Sequence, residues 1–402
     1  MKINLNKLLM DTLMLLPIAT LFQGIIPIIN KILFFIIISI LIYIFCINKK
    51  STYEILVLML FVISYIIAFI CTKGPLDNTN EIFYLLFFML YSDYVMHRYD
   101  YIKSYLKYNK VYLKRIAVIW NIVVVISMFF SSSYEDGYFY SFTGNVFRSA
   151  TAATFILAII MVLITKQKRN IIYALIPMFC IFSGGSRTYL AVGLAIGLAM
   201  YYMISPTKKF FWFSIVPIVL ICVGIVFNSS IMDKIDSSLT VSAMDYYQDP
   251  LFKFTSGRSL FWKVDIDAFF SGNIFNQLFG YGYRFVYDTN LYAIHNRIWA
   301  HNDFINILLC YGISGLVSYI LMFKLMFKKC MLYFSFPRWI KFIAVFIWLF
   351  NAFFNMFYTY ACASASYPII LFGFSLFLEN KVKKSDQERL RKNDKEFKDS
   401  II

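Results

Sequence analysis

Three arginines and two histidines stand where the chain turns polar between apolar runs. Arg187 lies in Ser183-Gly184-Gly185-Ser186-Arg187-Thr188, and Arg258 in Thr255-Ser256-Gly257-Arg258-Ser259. Glycine permits a tight turn and lets backbone amides approach an anion. Hydroxyls followed by an arginine at a helix start suit a phosphate. Each also has a plainer reading. Arg187 fits an interfacial arginine whose stem lies along lipid, and Arg258 an ordinary helix start capped by Ser256 or Thr255. Arg148, after Thr143-Gly144-Asn145, is a third anion contact or an interfacial anchor.

His301, in Trp299-Ala300-His301-Asn302-Asp303-Phe304, is one of only three histidines. An imidazole near neutral pH can take a proton from an alcohol. The alternative is a surface histidine ahead of a helix capped by Asn302 or Asp303. His295 reads as a surface histidine, and His97 falls on the other side of the membrane. His295, Asp265 and Asp303 remain as additional candidates. The chain has no CxxC, no Cys/His cluster and no Asp-rich motif, so neither a metal nor a cofactor is expected. The seven cysteines lie in or beside apolar runs and read as small hydrophobes.

The elements that must position these groups are membrane helices. Of 402 residues 60% are hydrophobic and 15% charged, against about a quarter charged in a soluble domain. Runs of about 20 apolar residues cross the hydrocarbon. Such runs fall near 8–29, 32–48, 54–72, 81–97, 114–132, 149–166, 170–185, 188–204, 210–228, 303–325, 339–358 and 364–380. Met1 to Lys7 is weakly basic and no small-residue cleavage site closes the run that follows, which reads as the first span. With the N-terminus in the cytoplasm, most of the 38 Lys and Arg residues fall in inner segments, including the cluster from Arg98 to Arg115. The net charge of +16 is therefore a topology device and a contact for anionic lipid, with no nucleic acid implied. Asp11, Glu54 and Asp93 are the acidic residues close to helix interiors, whereas an ion-coupled carrier more often buries charge mid-membrane.

The fold expected is all-α: a polytopic transmembrane bundle of about 12 helices. Residues 1–227 form helices 1–9, 228–302 a long, partly helical periplasmic loop, 303–380 helices 10–12, and 381–402 a basic tail, helical or disordered. Both termini are then cytoplasmic. Long loops are often functional. Within this one, Leu260, Phe261, Val264 and Ala268 recur at helical spacing opposite Lys263, Asp265 and Asp267. That pattern predicts an amphipathic helix on the membrane surface or over a cavity.

Five motifs occur in order: Gly185-Ser186-Arg187, Ser256-Gly257-Arg258 followed by Trp262, Leu278-Phe279-Gly280-Tyr281-Gly282, His301-Asn302-Asp303-Phe304, and Gly312-Ile313-Ser314-Gly315-Leu316. Over about Thr143 to Leu325 the chain resembles the O-antigen ligase/polymerase superfamily of bacterial envelope glycosyltransferases, which includes Wzy-type polymerases. The resemblance implies an undecaprenyl-diphosphate-linked oligosaccharide as donor, work on the outer face of the bacterial inner membrane, and no metal or nucleotide sugar. It implies that Arg187 and Arg258, with Arg148, bind the diphosphate and that His301 activates the acceptor hydroxyl. A flippase and a chain-length regulator would be the expected protein partners. One departure is that Arg187 is followed by Gly193 and Gly197, which does not match the arginine–glycine spacing of some polymerases. A repeat-unit polymerase is the expectation, with a ligase to lipid A-core as the alternative. A flippase is the rival of another class; it would carry short outer loops and two comparable halves.

Overall fold

The computed structural model describes residues 4–72, 79–135, 137–205, 255, 258–295, 297–332 and 336–399. The expected ninth span, 210–228, and the loop from 228 to 254 lie outside these residues, as do Ser256 and Gly257. The protein is all-α and polytopic. Its first helix, α1 (Leu5–Leu21), is capped by Asn4. The apolar run expected over 8–29 divides here, because a turn through Gly24 leads to α2 (Pro27–Ile47). Pro27 suits a first helical turn, where its missing donor costs nothing. A Ser51–Glu54 capping box starts α3 (Thr52–Cys71). Then come α4 (Thr79–His97), α5 (Tyr99–Tyr108) and α6 (Lys110–Ser127). Helix α5 lies in the basic cluster expected as a loop; its buried Tyr99, Ile102, Tyr105 and Leu106 form one helical face.

A two-residue hairpin, β1 (Tyr134–Glu135) and β2 (Tyr138–Phe139), precedes α7 (Val146–Ile164). The span expected at 170–185 is a 3-10 segment (Lys168–Ala174) followed by the short α8 (Leu175–Ser183), with Pro177 in its first turn. After α9 (Arg187–Ile204) come three loop helices: α10 (Arg258–Phe270), α11 (Ile274–Phe279) and α12 (Phe285–Ile294). The chain ends with α13 (Asp303–Leu332), α14 (Arg338–Asn355) and α15 (Ala361–Asp399), the last carrying the basic tail as helix.

Seven described helices, α2, α3, α7, α9, α13, α14 and α15, are long and apolar enough to cross a membrane. Helix α7 is the central post and is buried along nearly its whole length. Its Ala150, Ala152, Ala153 and Ala158 let α1, α6, α9 and α15 approach closely. Helices α2 and α3 instead turn Ile28, Ile32 and Phe35, and Met59, Ile66 and Ile70, outward, as lipid contact requires. At the end away from the loop helices, Tyr105 donates to the Asp11 carboxylate at 2.5 Å, and Lys107 pairs with Glu379 at 3.0 Å.

One break in the helical backbone pins the loop to this bundle. At Gly312 α13 adopts φ 69° and ψ −173°, which removes local i→i−4 bonds. The carbonyls of Leu309 and Cys310 accept instead from the amides of Tyr281 (2.9 Å) and Gly282 (3.3 Å). Ser314 Oγ donates to the Leu278 carbonyl at 2.6 Å and lies 2.6 Å from Ser64 Oγ. The Leu278–Gly282 and Gly312–Leu316 motifs are therefore two halves of one joint. Gly280 (φ 93°) faces the Cys310 carbonyl and Gly312 the Leu278 carbonyl, with no space for a Cβ at either.

Helix α10 is present but turned by about one residue from expectation. Its buried face is Trp262, Asp265 and Phe269, while Lys263 and Asp267 are exposed. Trp262 Nε1 donates to the Ala300 carbonyl at 2.7 Å, and this anchor sets the rotation. Asp265 is carried inward as a result. Burial pushes its carboxyl up to about 7, against the opposing effect of the Asn290 amide.

Alanine at Gly280 or Gly312 should cost about 3 kcal/mol or more by overpacking and positive φ. Gly197→Ala, a helical site with ordinary contact to Met178, should be neutral or stabilise by about 0.5–1 kcal/mol. Thermal survival of the monodisperse detergent-extracted protein measures both. For Asp265, folded and unfolded states are both protonated well below pH 4. As pH rises past about 4 the unfolded carboxyl ionises, while the folded one stays neutral until about 7. Stability should fall across that window and level off above it, and Asp265→Asn should abolish this part of the pH dependence of the apparent Tm.

Candidate active site

At the loop end of the bundle a cavity of about 280 Å³ opens between the starts of α2, α7 and α15 and the residues before α13. Arg148 reaches it from the first turn of α7. Asn145 caps that helix, its Oδ1 accepting from the amides of Phe147 (2.8 Å) and Arg148 (3.4 Å). Lys31 reaches it from α2. The two helix starts are locked together where Gly24 and Gly144 meet, and the Gly24 amide donates to the Phe142 carbonyl at 2.9 Å. Among the described residues the lining contains Lys31, Arg148 and His301 and no Asp or Glu. Among the described residues neither Lys31 nor Arg148 makes an ion pair.

His301 enters this cavity from a strained backbone. Its φ is +50°, and Met356, which also lines the cavity, has φ +65°. Such conformations cost of order 1–3 kcal/mol in non-glycine residues and persist only where the surroundings impose them. On one side of His301 the Ala300 carbonyl is held by Trp262. On the other, Asn302 Oδ1 accepts from the amides of Phe304 (2.9 Å) and Ile305 (3.2 Å), so Asn302 is the cap of α13. Burial first, and the Arg258 charge second, pull the His301 imidazole down to about 4. It is neutral at physiological pH and has a lone pair to offer.

Arg187 and Arg258 lie beside this cavity without being part of its lining. Thr255 Oγ1 caps α10, accepting from the Ser259 amide at 3.0 Å. The Arg258 guanidinium donates to the Phe354 carbonyl at the end of α14. Burial, and then repulsion from Arg187, pull it down to about 10, which leaves it protonated at neutral pH. Arg258 is also within electrostatic reach of Tyr360, a residue of the cavity wall. The glycines before Arg187 do not present amides to a ligand. Gly184 N donates to the Cys180 carbonyl and Gly185 N to that of Phe182, closing α8, while the Tyr138 ring packs on Gly185.

The other candidates lie elsewhere. Asp303 is fully buried and accepts from Tyr319 Oη (2.7 Å) and the Tyr358 amide (3.3 Å), tying α13 to the turn before α15. Asp265 is buried under α10, and His295 is the exposed residue that ends α12 at φ 56°. None of the three lines the cavity. Sequence reasoning missed Lys31, Met356 and Tyr360. A lysine near the outer start of an apolar run is the one signal that could have singled out Lys31. Among the described residues no three His, Cys, Asp or Glu side chains gather as a metal site.

Residues 172–320 match the family model described as O-Antigen ligase. The matched stretch contains Arg187, Arg258, His301 and the Gly312 break, whereas Lys31 and Arg148 precede it. No curated protein matches the chain. Over residues 172–320 the chain is thus similar to the O-antigen ligase family, and its all-α, multi-pass architecture accords with that match.

Proposed function

We propose that this protein is a metal-independent glycosyltransferase that polymerises undecaprenyl-diphosphate-linked oligosaccharide repeat units on the outer face of the bacterial inner membrane. The observation that carries the reading is Arg258, in electrostatic contact with both Arg187 and His301. Guanidinium charge within electrostatic reach of a neutral imidazole supports the reading. Arg187 and Arg258 hold the donor diphosphate through charge-assisted, fork-shaped hydrogen bonds. The acceptor hydroxyl oxygen attacks the anomeric carbon from the face opposite the diphosphate. The bond from that carbon to the phosphate oxygen breaks, its electron pair leaves with undecaprenyl diphosphate, and the hydroxyl proton passes to His301. The anomeric centre is inverted. Guanidinium groups aimed at charge that grows in the transition state lower its energy more than that of the ground state.

The family description favours a second reading, transfer of a finished glycan to lipid A-core, which uses the same chemistry. Size analysis of surface glycans in a strain lacking the gene separates the two. Loss of a polymerase leaves single repeat units on the surface, and loss of a ligase leaves lipid A-core without glycan. Arg258→Met should lower transfer by about 10²–10³-fold and His301→Gln by about 10²–10⁴-fold, with each protein still inserted. Full glycan assembly by an inserted Arg258→Met protein would end the proposal.

The acid limb of the pH profile follows from the His301 environment. In the free enzyme the imidazole protonates near 4, so kcat/KM should stay flat from neutral pH down to about 5. A bound diphosphate offsets the Arg258 charge and favours the imidazolium, so kcat should begin to fall at a higher pH than kcat/KM. Initial rates with purified lipid-linked donor, across pH and donor concentration, give both profiles.

A further inference from the structure

We infer that the cavity lined by Lys31 and Arg148 is a second phosphate-binding subsite, which holds the glycosyl acceptor apart from the donor diphosphate at Arg187 and Arg258. The inference rests on the transferase reading and adds to it where the second substrate binds. Four observations carry it. Among the described residues the cavity walls hold two cations and no carboxylate, and neither cation has an ionic partner. Lys31 is exposed and Arg148 half-buried, so both cations are open to an arriving anion. His301 faces this space, while Arg187 and Arg258 are not part of its lining. A base must touch the acceptor hydroxyl, so the space before His301 belongs to the acceptor.

The third observation is what surrounds the cations. Asn30 Nδ2 donates to Gln23 Oε1 at 3.0 Å, while Asn30 Oδ1 is buried with no partner, an acceptor positioned for a sugar hydroxyl. The opposite wall carries the rings of Tyr287 and Trp299, 4.5 Å apart between centroids. Such faces suit the C–H surface of a pyranose. The fourth is that the site is built. The Gly24–Gly144 contact fixes the start of α2 against the start of α7, so Lys31 and Arg148 share one rigid corner.

The bound group is a phosphate, and it has two possible sources: the diphosphate of a second lipid carrier, as a polymerase acceptor has, or a phosphorylated saccharide, as on a glycolipid core. Farnesyl diphosphate and glucose 6-phosphate serve as the probes. Equilibrium binding is measured on the full chain in nanodiscs of zwitterionic lipid, which add no anionic competitor. Wild type should bind two equivalents of phosphate probe, one of them farnesyl diphosphate at Arg187 and Arg258. If farnesyl diphosphate alone supplies both, the second site takes a lipid carrier; if glucose 6-phosphate fills the second, it takes a phosphosugar. Lys31→Met/Arg148→Met should lose one equivalent and keep the other, with acceptor KM raised at least tenfold and donor KM unchanged. Lys31→Arg/Arg148→Lys should retain both, which separates lost charge from lost fold. A single equivalent in wild type, or two in the methionine double variant, overturns the subsite. So does loss of both equivalents in that double variant while the Arg–Lys exchange keeps both. None of these results touches the donor reading, which falls separately if Arg258→Met assembles glycan normally.

Discussion

Backbone polar groups cannot be left open in a membrane-spanning helix, and this chain opens two of them at Gly312. The carbonyls of Leu309 and Cys310 turn away from their own helix, and the amides of Tyr281 and Gly282 close them. The loop is thus joined to the bundle by main-chain bonds in addition to side-chain packing. Tyr283 N then donates to Thr72 Oγ1 at 2.9 Å, which extends the joint to the end of α3. With the loop fixed, Trp262 can hold the Ala300 carbonyl, and the chain passes through His301 in a conformation it would not choose alone. The strain at His301 and Met356 is therefore sustained by bonds on both sides. Asn302 and Asp303 fasten the start of α13, and Asp303 also fastens the turn at Tyr358.

Electrostatics gives this end of the bundle its chemical direction. Arg187 and Arg258 repel each other, and burial penalises Arg258 further. Lys31 and Arg148 face a cavity without carboxylates. The two buried carboxylates nearby are used otherwise. Asp303 is committed to Tyr319 and to backbone amides, and Asp265 lies beneath α10. Neither neutralises the cations. The opposite end is arranged differently: there Lys103 and Lys107 pair with Glu379, and Lys50 with Asp93. Paired charge holds that end together, whereas Lys31 and Arg148 at the loop end make no ion pair among the described residues.

Much of this was legible in the sequence, for identifiable reasons. Long apolar runs are local, so α2, α3, α7, α9 and α13–α15 could be placed to within a few residues, and the polar gaps between them drew attention to Arg148, Arg187, Arg258 and His301. The division at Gly24 and Pro27 was missed because apolar residues continue on both sides of the turn. The rotation of α10 was missed because hydrophobicity alone favours Leu260, Phe261, Val264 and Ala268, whereas the hydrogen bond from Trp262 decides the face. The glycine motifs could be seen but not explained, since Gly280 and Gly312 matter through contacts with each other's segments. Lys31 escaped for the same reason. Its place at the start of an apolar run is the one local signal, and the cavity it shares with Arg148 forms only when Gly24 meets Gly144.

The position of His301 between two cationic regions reconciles two demands that otherwise conflict. A base strong enough to take an alcohol proton would be protonated, and useless, if it stood beside a bare diphosphate at neutral pH. A base depressed by a neighbouring guanidinium stays neutral but is weak. Here burial first, and the Arg258 charge second, keep the imidazole free of a proton. On the proposed mechanism, a donor diphosphate held by Arg258 would offset the smaller of these two restraints, so basicity would rise when the donor binds. On that mechanism, negative charge would grow on the leaving group as the imidazole takes the proton, so each charge would stabilise its opposite. Proton removal would then be tied to donor binding through one electrostatic interaction, and this asks of the fold only that the joint at Gly312 and the anchor at Trp262 hold Arg258 and His301 in place.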